Sequence, residues 1–407
     1  MRNVIKRFFR FKGADQGIYL AIFIMSVFGI LMVWSAANGS VPRLGPLSAF
    51  KKTAQQGLFI VLGAILMTVF AKTFKARSIS WGTVVTILGI NWAAMLICRV
   101  FDPVNGAYAW IRLPGGFTIQ PGEFMKISLI LGLSFSLSVV HDSFLVHPPF
   151  QNAAQKELFE KERFKRVWIF PLAMIIIAFL TGAVINDDLG SSLILALISF
   201  VVFMYAPGRF YKRTKKMVLM ALPGFALLGV FAFKFVLGSY QVKRFTVMLD
   251  PLADPTNSAY QLVNSLIAIV NGGLSGLGLD NSTQKFGYIP EAYNDFIGSI
   301  VMEEFGLLGL LVILIPITYI IVRMLVYSAK VRSDFERLIL IGIATYFFAH
   351  VFVNLGGITG LIPMTGVPLL FISYGGSSII CAFMAIGIAQ AIIAKYNKEH
   401  TSGTKNR

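Results

Sequence analysis

Acidic residues in and beside apolar segments are the first candidates for chemistry in this sequence. Glu291 and Asp295 lie in a polar, Pro-interrupted stretch, and Glu303 and Glu304 follow inside the long apolar segment that comes next. An acidic side chain at the edge of hydrocarbon costs roughly 2–4 kcal/mol, so it usually faces a cavity, a partner or a substrate. A solvated loop before a helix with acidic first turns is the plainer interpretation, because the helix dipole favours it.

A second candidate group lies between residues 105 and 126. Glu123 and Lys126 have the i, i+3 spacing that places two side chains on one face of a helix, where they can pair. Such a pair is either structural or presents an ammonium to a phosphate and a carboxylate to a metal or hydroxyl. Trp110 and Arg112 precede it, and a Trp beside an Arg is typical of an anchor at the membrane surface.

Two further polar stretches complete the candidate set. Asp187 and Asp188 form a tip between apolar runs, where a helix N-cap explains only one of the two acids. Lys243 and Arg244 are candidate anion contacts. The acids Asp295, Glu123 and Asp188, together with the cations Lys126, Arg112 and Arg244, suit transfer chemistry on a lipid-linked anionic substrate.

The composition indicates which elements must position these residues. The chain has 407 residues, of which 56% are hydrophobic and only 14% charged, far outside the range of soluble domains. It is predicted to be an all-α polytopic membrane protein with about ten transmembrane helices, since this many apolar runs approach the length that spans about 30 Å of hydrocarbon. The runs are 17–37, 55–71, 80–98, 125–140, 168–185, 189–206, 217–237, 296–322, 338–356 and 367–394.

The distribution of charge predicts the orientation. Most of the 36 Lys and Arg residues fall in alternate connections, and the positive-inside rule places those in the cytoplasm together with the termini, 1–16 and 395–407. The net charge of +17 is therefore a topology signal and predicts no nucleic-acid partner. Residues 238–295 become a large extracellular loop between helices 7 and 8, and helical patterning in 260–270 predicts that this loop is ordered.

Several kinds of site lack support in the sequence. Cys98 and Cys381 both lie in apolar segments, which argues against a disulfide framework or a cysteine metal site. The four His residues show no metal-protease spacing. No Walker, nucleophile-elbow or dinucleotide motif is visible, so we expect no nucleotide and no haem.

Two stretches carry a resemblance to a known family. They are Tyr288-Ile-Pro-Glu-Ala-Tyr-Asn-Asp-Phe-Ile with Glu303-Glu-Phe-Gly306, and Pro363-Met-Thr-Gly-Val-Pro-Leu-Leu-Phe-Ile-Ser-Tyr-Gly-Gly-Ser-Ser378. Gln120-Pro-Gly-Glu-Phe-Met-Lys126 is similar to the family's Gln-Pro-Ser-Glu-x-x-Lys, and Asp188-Leu-Gly-Ser191 to its Asp-Leu-Gly-Thr. Over nearly its whole length the chain resembles the SEDS family (shape, elongation, division and sporulation) of FtsW, RodA and SpoVE.

The resemblance implies a peptidoglycan glycosyltransferase that polymerises lipid II outside the cytoplasmic membrane, in cell elongation or division, beside a class B penicillin-binding protein. The family's essential acid falls on Asp295, its Glu and Lys on Glu123 and Lys126, and its loop Trp on Trp110. We expect Asp295 to be the general base. We expect the substrate to be bound by Glu123, Lys126, Trp110, Arg112, Asp188, Arg244 and Glu291. A divalent cation, Mg²⁺ or Mn²⁺, is expected to be bound by Glu123 or Asp295.

The chain departs from the family pattern at three positions. Ala109 replaces the Arg that usually precedes the Trp, Asn294 replaces a Thr, and Gly122 replaces a Ser. None of these removes a candidate catalytic group. Two other functions stay open: a lipid II flippase, and a non-catalytic scaffold for a penicillin-binding protein. A flippase requires a site near the bilayer midplane, whereas a scaffold would leave Asp295 and Glu123 dispensable.

Overall fold

The computed structural model is a bundle of helices, and the described part of the chain is almost entirely helical. Backbone and side chains are described for residues 13–39, 45, 47–104, 106–114, 117–138, 152–208, 211–221, 244–256, 259–290 and 292–400, and the backbone alone for 139–145, 239–243 and 401–404. The helices are α1 (Gln16–Asn38), α2 (Leu47–Thr73), α3 (Trp81–Ile97), α4 (Pro121–Leu145), α5 (Ala153–Phe164), α6 (Phe170–Leu180), α7 (Leu189–Tyr205), α8 (Ser239–Leu249), α9 (Tyr260–Gly272), α10 (Ile297–Ser328), α11 (Asp334–Ile358) and α12 (Gly376–Thr404). Residues 211–221 are also helical.

Helices α11 and α12 form the centre of the bundle. Helix α11 packs against α4, α7 and α10, and α12 packs along α2. Both central helices are largely apolar and mostly buried, which is typical of spans enclosed by other spans. Helices α1, α2 and α3 expose many apolar side chains at the periphery, as expected of a lipid-facing surface.

Side-chain caps fix where several helices begin. Asp15 accepts hydrogen bonds from the first backbone N–H groups of α1, Asp188 does so for α7, and Ser333 does so for α11. Each cap satisfies donors that a helix leaves without a partner at its N-terminus. Asp15 also accepts from Arg323 Nε at 2.5 Å, which joins the start of α1 to α10.

Helix α10 is broken at Gly306, whose φ of 60° and ψ of −154° are not helical. The segment that follows α9 fills the break. Its backbone N–H groups at Leu277 and Gly278 donate to the carbonyls of Glu303 and Glu304, each at 2.9 Å, and Leu307 N–H donates to Gly273 at 3.0 Å. The break therefore docks part of the predicted extracellular loop onto the bundle.

The structure confirms an all-helical polytopic membrane protein. Seven helical segments in the described part of the chain are long and apolar enough to cross a membrane, and α7 is a shorter apolar helix of 17 residues. Helix α4 adds 25 residues over the predicted run 125–140. The predicted run 217–237 lies mostly outside the described residues, so the number of ten spans stays a prediction.

Three predicted boundaries are wrong. The last span begins at Gly376 rather than at 367, because the Pro- and Gly-containing residues before it form an irregular loop. Helix α4 is longer than 125–140 and takes in the first part of the predicted connection 141–167. Residues 153–167 of that connection continue directly into the next span, because Ala153–Ile185 is one helical segment of 33 residues, with π-helical turns at Lys165–Ile169 and Thr181–Ile185.

The predicted loop 238–295 is ordered where it is described. Helix α9, Tyr260–Gly272, confirms the helical pattern expected in 260–270. Its Ser265 hydroxyl donates to the Ile358 carbonyl at 2.7 Å and lies 2.6 Å from the Ser299 hydroxyl, so α9 is held against both α10 and α11.

Candidate functional site

Residues 364–368, an irregular loop between α11 and α12, form the centre of the candidate site. Asp295 lies just before α10, half-buried, and a Cβ built on Gly366 would lie 3.4 Å from its Oδ2. Gly366 has a φ of +72° and is exposed, so a glycine allows the loop to turn beside the carboxylate. The Asp295 backbone carbonyl accepts from Asn354 Nδ2 at 2.8 Å, which ties this segment to α11.

Arg244 and the start of α7 reach the same loop. Arg244 Nη1 donates to the Met364 carbonyl at 2.8 Å. Gly190 lies so close to Thr365 that an added Cβ would come within 2.5 Å of its carbonyl oxygen. The structure therefore brings the cation, the catalytic candidate and the Asp188 cap to one end of the bundle, which we call the site face.

Asp188 has two defined partners on this face. Its Oδ1 accepts from Ser191 N–H at 3.0 Å, so Asp188 is the one of the two acids that forms the N-cap, and its Oδ2 accepts from Gln120 Nε2 at 3.1 Å. Gln120 N–H in turn donates to Ser377 Oγ at 2.9 Å. Asp188 thus has a structural role, because it links the segment before α4 to α7. Its position at the site face is also compatible with substrate binding.

Glu123 and Lys126 form the predicted ion pair, with 2.5 Å between Lys126 Nζ and Glu123 Oε1. Both side chains are buried, so neither reaches the surface in this structure. His350 of α11 lies beside them, with its Nε2 3.1 Å from Lys126 Nζ and 3.7 Å from Glu123 Oε2. Its Nδ1 is 3.1 Å from the Pro368 carbonyl. The pair therefore lies beneath the loop 364–368 and connects to it through His350.

The remaining candidates are not joined to this loop. Arg112 is exposed on a two-stranded hairpin, Ile111–Arg112 with Thr118–Ile119, and pairs with exposed Asp102 at 3.5 Å, an arrangement that stabilises little. Trp110 is half-buried just before that hairpin. Glu291 lies outside the described residues.

Glu303 and Glu304 do not face the site. Both are fully buried and bind the segment that follows α9. Glu303 accepts from Ser282, from Thr283 at 2.9 Å and from the Gln284 N–H at 3.2 Å. Glu304 pairs with buried Lys285 at 3.0 Å. Their cost in the membrane is offset by these partners, so the two acids have a structural explanation.

Sequence reasoning missed His350 and Asn354. They are one turn apart in a largely apolar part of α11, and Asn354 Nδ2 donates to the Val367 carbonyl at 2.8 Å as well as to the Asp295 carbonyl. The signal was available: polar side chains at i, i+4 in a predicted span indicate a functional or buried polar face.

A lysine beside the segment that carries Asp295 was missed as well. Lys52 Nζ lies 4.1 Å from the centre of the Tyr293 ring and 4.9 Å from that of Tyr374. The Tyr374 hydroxyl donates to Gln55 Oε1 at 2.7 Å, and burial raises the pKa of this phenol, which keeps it protonated as a donor. Lys52 is thus a half-buried cation beside the segment that carries Asp295.

The two candidate metal ligands fit a cation unequally. Among the described residues, no group of three or more His, Cys, Asp and Glu side chains is arranged to hold a metal ion. Glu123 already contacts an ammonium, whose charge opposes a second cation. Asp295 fits better, because Mg²⁺ is commonly held by one or two carboxylates together with substrate phosphates.

Comparison with known proteins decides the family. The sequence profile of the family of FtsW, RodA and SpoVE, described as "Cell cycle protein", matches residues 16–399. The chain belongs to this family. A family relative in Lactococcus lactis subsp. lactis, named probable peptidoglycan glycosyltransferase FtsW, is 34% identical over 414 residues, covering 96% of this chain and 95% of the relative.

Two solved structures share the fold of this SEDS protein. One is a chain described under structural coordination of polymerization and crosslinking by a peptidoglycan synthase complex, with a TM-score of 0.72 at 23% identity over 94% of this chain and 98% of that one. The other is the rod shape determining protein RodA of Thermus thermophilus, with a TM-score of 0.60 at 21% identity over 93% and 96%. At these identities the likeness concerns the fold, and it supports the all-helical membrane architecture.

Proposed function

We propose that this SEDS protein is a peptidoglycan glycosyltransferase that polymerises lipid II at the outer face of the cytoplasmic membrane, with Asp295 as general base. The names of its relatives support the activity. One structural observation supports the site: the Asp295 carboxylate lies against exposed Gly366, in a loop that Arg244 and the start of α7 also contact. An acid and a cation that both contact an exposed loop, at one end of membrane-spanning helices, suit an anionic substrate with a lipid tail.

The reaction is a single displacement that inverts the anomeric centre. The 4-hydroxyl of the acceptor sugar attacks the anomeric carbon of the donor, and the bond from that carbon to undecaprenyl pyrophosphate breaks. The electron pair of that bond leaves with the pyrophosphate, and Asp295 takes the hydroxyl proton. General-base catalysis of this kind contributes about 10²–10⁴-fold.

The leaving pyrophosphate requires positive charge. Arg244 donates to the loop 364–368, which Asp295 also faces, and Lys52 lies beside the segment that carries Asp295, so these two cations are placed to stabilise the leaving group. Lys126 is buried against Glu123 and supports the loop from below. A Mg²⁺ or Mn²⁺ ion would be held by Asp295 together with pyrophosphate oxygens, and when bound it would neutralise charge on the leaving group.

A class B penicillin-binding protein is the proposed partner. It would crosslink the glycan strands, in line with the resemblance of the chain to a subunit of a complex that couples polymerization and crosslinking. We also propose that both termini lie in the cytoplasm, as the distribution of basic residues indicates. The site face would then be extracellular, where lipid-linked precursors become accessible to a polymerase.

The decisive experiment is polymerisation of purified lipid II by the protein with its cognate penicillin-binding protein, whose crosslinking is blocked by penicillin. We expect glycan strands from the wild type and at least about 100-fold less from Asp295→Asn, since the loss of a general base costs about 10²–10⁴-fold. Glu399→Gln is the matched control, because Glu399 is an exposed acid at the end of α12 that lies opposite its start at Gly376, and its replacement changes the net charge equally.

The outcomes separate the three functions. Full activity in a well-folded Asp295→Asn protein would contradict the assignment of the base. No polymer from the wild type, together with movement of labelled lipid II across proteoliposome membranes, would support the flippase. Dispensable Asp295 and Glu123 in cells, with sensitivity to substitutions on helix surfaces, would support the scaffold.

A further inference from the structure

One face of α11 presents two polar side chains to the loop 364–368. His350 contacts the Pro368 carbonyl, and Asn354, one turn later, donates to the carbonyls of Val367 and Asp295. The exposed fraction of His350 is 0% and that of Asn354 is 4%. The burial of a polar group is unfavourable unless the group is hydrogen-bonded. Both residues form such bonds, and they hold the loop that faces the catalytic candidate.

The contacts of His350 determine its tautomer. A carbonyl oxygen only accepts hydrogen bonds, so Nδ1, 3.1 Å from Pro368 O, must carry the proton. In a neutral imidazole the other nitrogen, Nε2, then has a free electron pair. Nε2 lies 3.1 Å from Lys126 Nζ, whose N–H groups only donate. His350 is therefore an acceptor for Lys126 and a donor to Pro368.

This arrangement joins a buried ion pair to the site loop. Lys126 donates to Glu123 Oε1 on its own helix and to His350 Nε2 on α11. Removal of one partner from a buried charged pair is costly, because the remaining charge loses its compensation. The ammonium therefore holds α4 and α11 together directly beneath Pro368.

We propose that His350 is a positioning residue of the transferase site, which couples the Glu123–Lys126 pair to Pro368 and thereby fixes the loop 364–368 against Asp295. This inference rests on the proposed function and deepens it. It gives a pair that is closed to the surface a way to act on chemistry at the surface: the pair sets the position of the loop. Displacement of reacting groups by about 1 Å can cost about 100-fold in rate, so a small shift of this loop matters.

Three substitutions separate the two contacts. His350→Phe removes both with a ring of similar size, His350→Gln retains an acceptor for Lys126, and His350→Asn retains a donor for Pro368. We expect kcat for lipid II polymerisation to fall about 10–100-fold in the Phe variant, with KM changed less than about 3-fold. The Gln and Asn variants should lie between it and the wild type, since each keeps one contact.

Thr345→Val is the matched control on the same helix. Thr345 is buried, and its hydroxyl donates to the Ile341 carbonyl within α11 itself. We expect near wild-type kcat from this variant. Wild-type kcat in the Gln and Asn variants would overturn the proposal, even where the Phe variant fails to fold. The proposal would also be overturned if Thr345→Val lost as much kcat as the His350 variants of equal thermal stability, because the loss would then follow from altered packing of α11.

The tautomer gives a readout that needs no activity. The chain has four His residues, so ¹⁵N-histidine labelling gives few imidazole signals. The signals that are absent from the spectrum of His350→Asn belong to His350. We expect a neutral ring protonated at Nδ1, with an Nε2 signal that shifts in Lys126→Met. A ring protonated at Nε2, or at both nitrogens, at neutral pH would overturn the proposal. Because this test stands without polymerisation, its failure is distinguishable from failure of the proposed function.

Discussion

At the scale of single residues, the candidate site depends on side chains that hold backbone carbonyls. Asn354 donates one amide group to two carbonyls, those of Asp295 and Val367, and both bonds are 2.8 Å long. The amide thus connects the segment that carries the proposed base to the loop that faces it. A side chain that touches no substrate can in this way determine whether the carboxylate and the loop keep their separation.

Replacement of Asn354 tests this connection. Asn354→Leu keeps the volume and removes the donor to both carbonyls, and the loss of the partner of the buried Val367 carbonyl alone costs about 1–3 kcal/mol. We expect a lower melting temperature in detergent and at least about 10-fold slower polymerisation, because the loop 364–368 is no longer held in position relative to Asp295. Thr345→Val serves again as the control. A folded Asn354→Leu protein with wild-type polymerisation would show that the amide does not position the site.

At the scale of elements, the break in α10 organises the large loop. Gly306 leaves helical geometry, and the segment after α9 bonds to the freed backbone on both sides of it. Buried Lys285 then joins Glu304 of α10 to Ser35 of α1, at 3.0 Å from each, and also pairs with Asp280. The loop is therefore attached to two helices, and α9, which packs between α10 and α11, is placed by the same connection.

The buried lysine is expected to be strongly stabilising. Lys285→Met leaves the Glu304 carboxylate without its cation, and the free energy of unfolding should fall by about 3–5 kcal/mol in a denaturant titration. The double variant Lys285→Met/Glu304→Gln should recover part of this loss, because it removes the uncompensated charge. Lys51→Met, at an exposed position, should change stability by less than about 0.5 kcal/mol. Equal effects of Lys285→Met and Lys51→Met would contradict this account.

At the scale of the whole molecule, the long helical segment Ala153–Ile185 reports on orientation. Its 33 residues extend about 50 Å, whereas the hydrocarbon core is about 30 Å thick. Its C-terminal end meets the site face, where Asp188 N–H donates to the Gly182 carbonyl at 2.9 Å. The charged helix α5 must therefore project from the opposite side of the membrane.

Cysteine labelling tests the proposed topology. The two native cysteines, Cys98 and Cys381, are both buried, so a single introduced cysteine is selectively reactive. Leu158 of α5 is 73% exposed and Leu252, just after α8 on the site face, is 76% exposed. An impermeant maleimide should label Leu252→Cys in intact spheroplasts and Leu158→Cys only after lysis. The reverse pattern would place the site face in the cytoplasm and would exclude an extracellular polymerase.

The sequence alone determined the class of the molecule and several local contacts. Runs of about 20 apolar residues predict spans, because only a helix satisfies its backbone within hydrocarbon. The i, i+3 spacing of Glu123 and Lys126 predicted their ion pair, and a cap was predicted for one of Asp187 and Asp188, since both contacts form within one turn of a helix. The start of α12 was mispredicted because apolarity does not distinguish a buried irregular loop from a helix.

Only the tertiary structure decided which distant residues meet. His350 contacts Lys126, and Asn354 contacts the Asp295 carbonyl, although the members of each pair are far apart in the chain. Lys285 contacts Glu304 from a loop that precedes α10. Spacing rules describe neighbours on one helix, whereas these contacts depend on how helices pack and where a loop crosses them. For this reason the sequence pointed to Asp295 and Glu123 separately, and the fold revealed the loop and the imidazole that connect them.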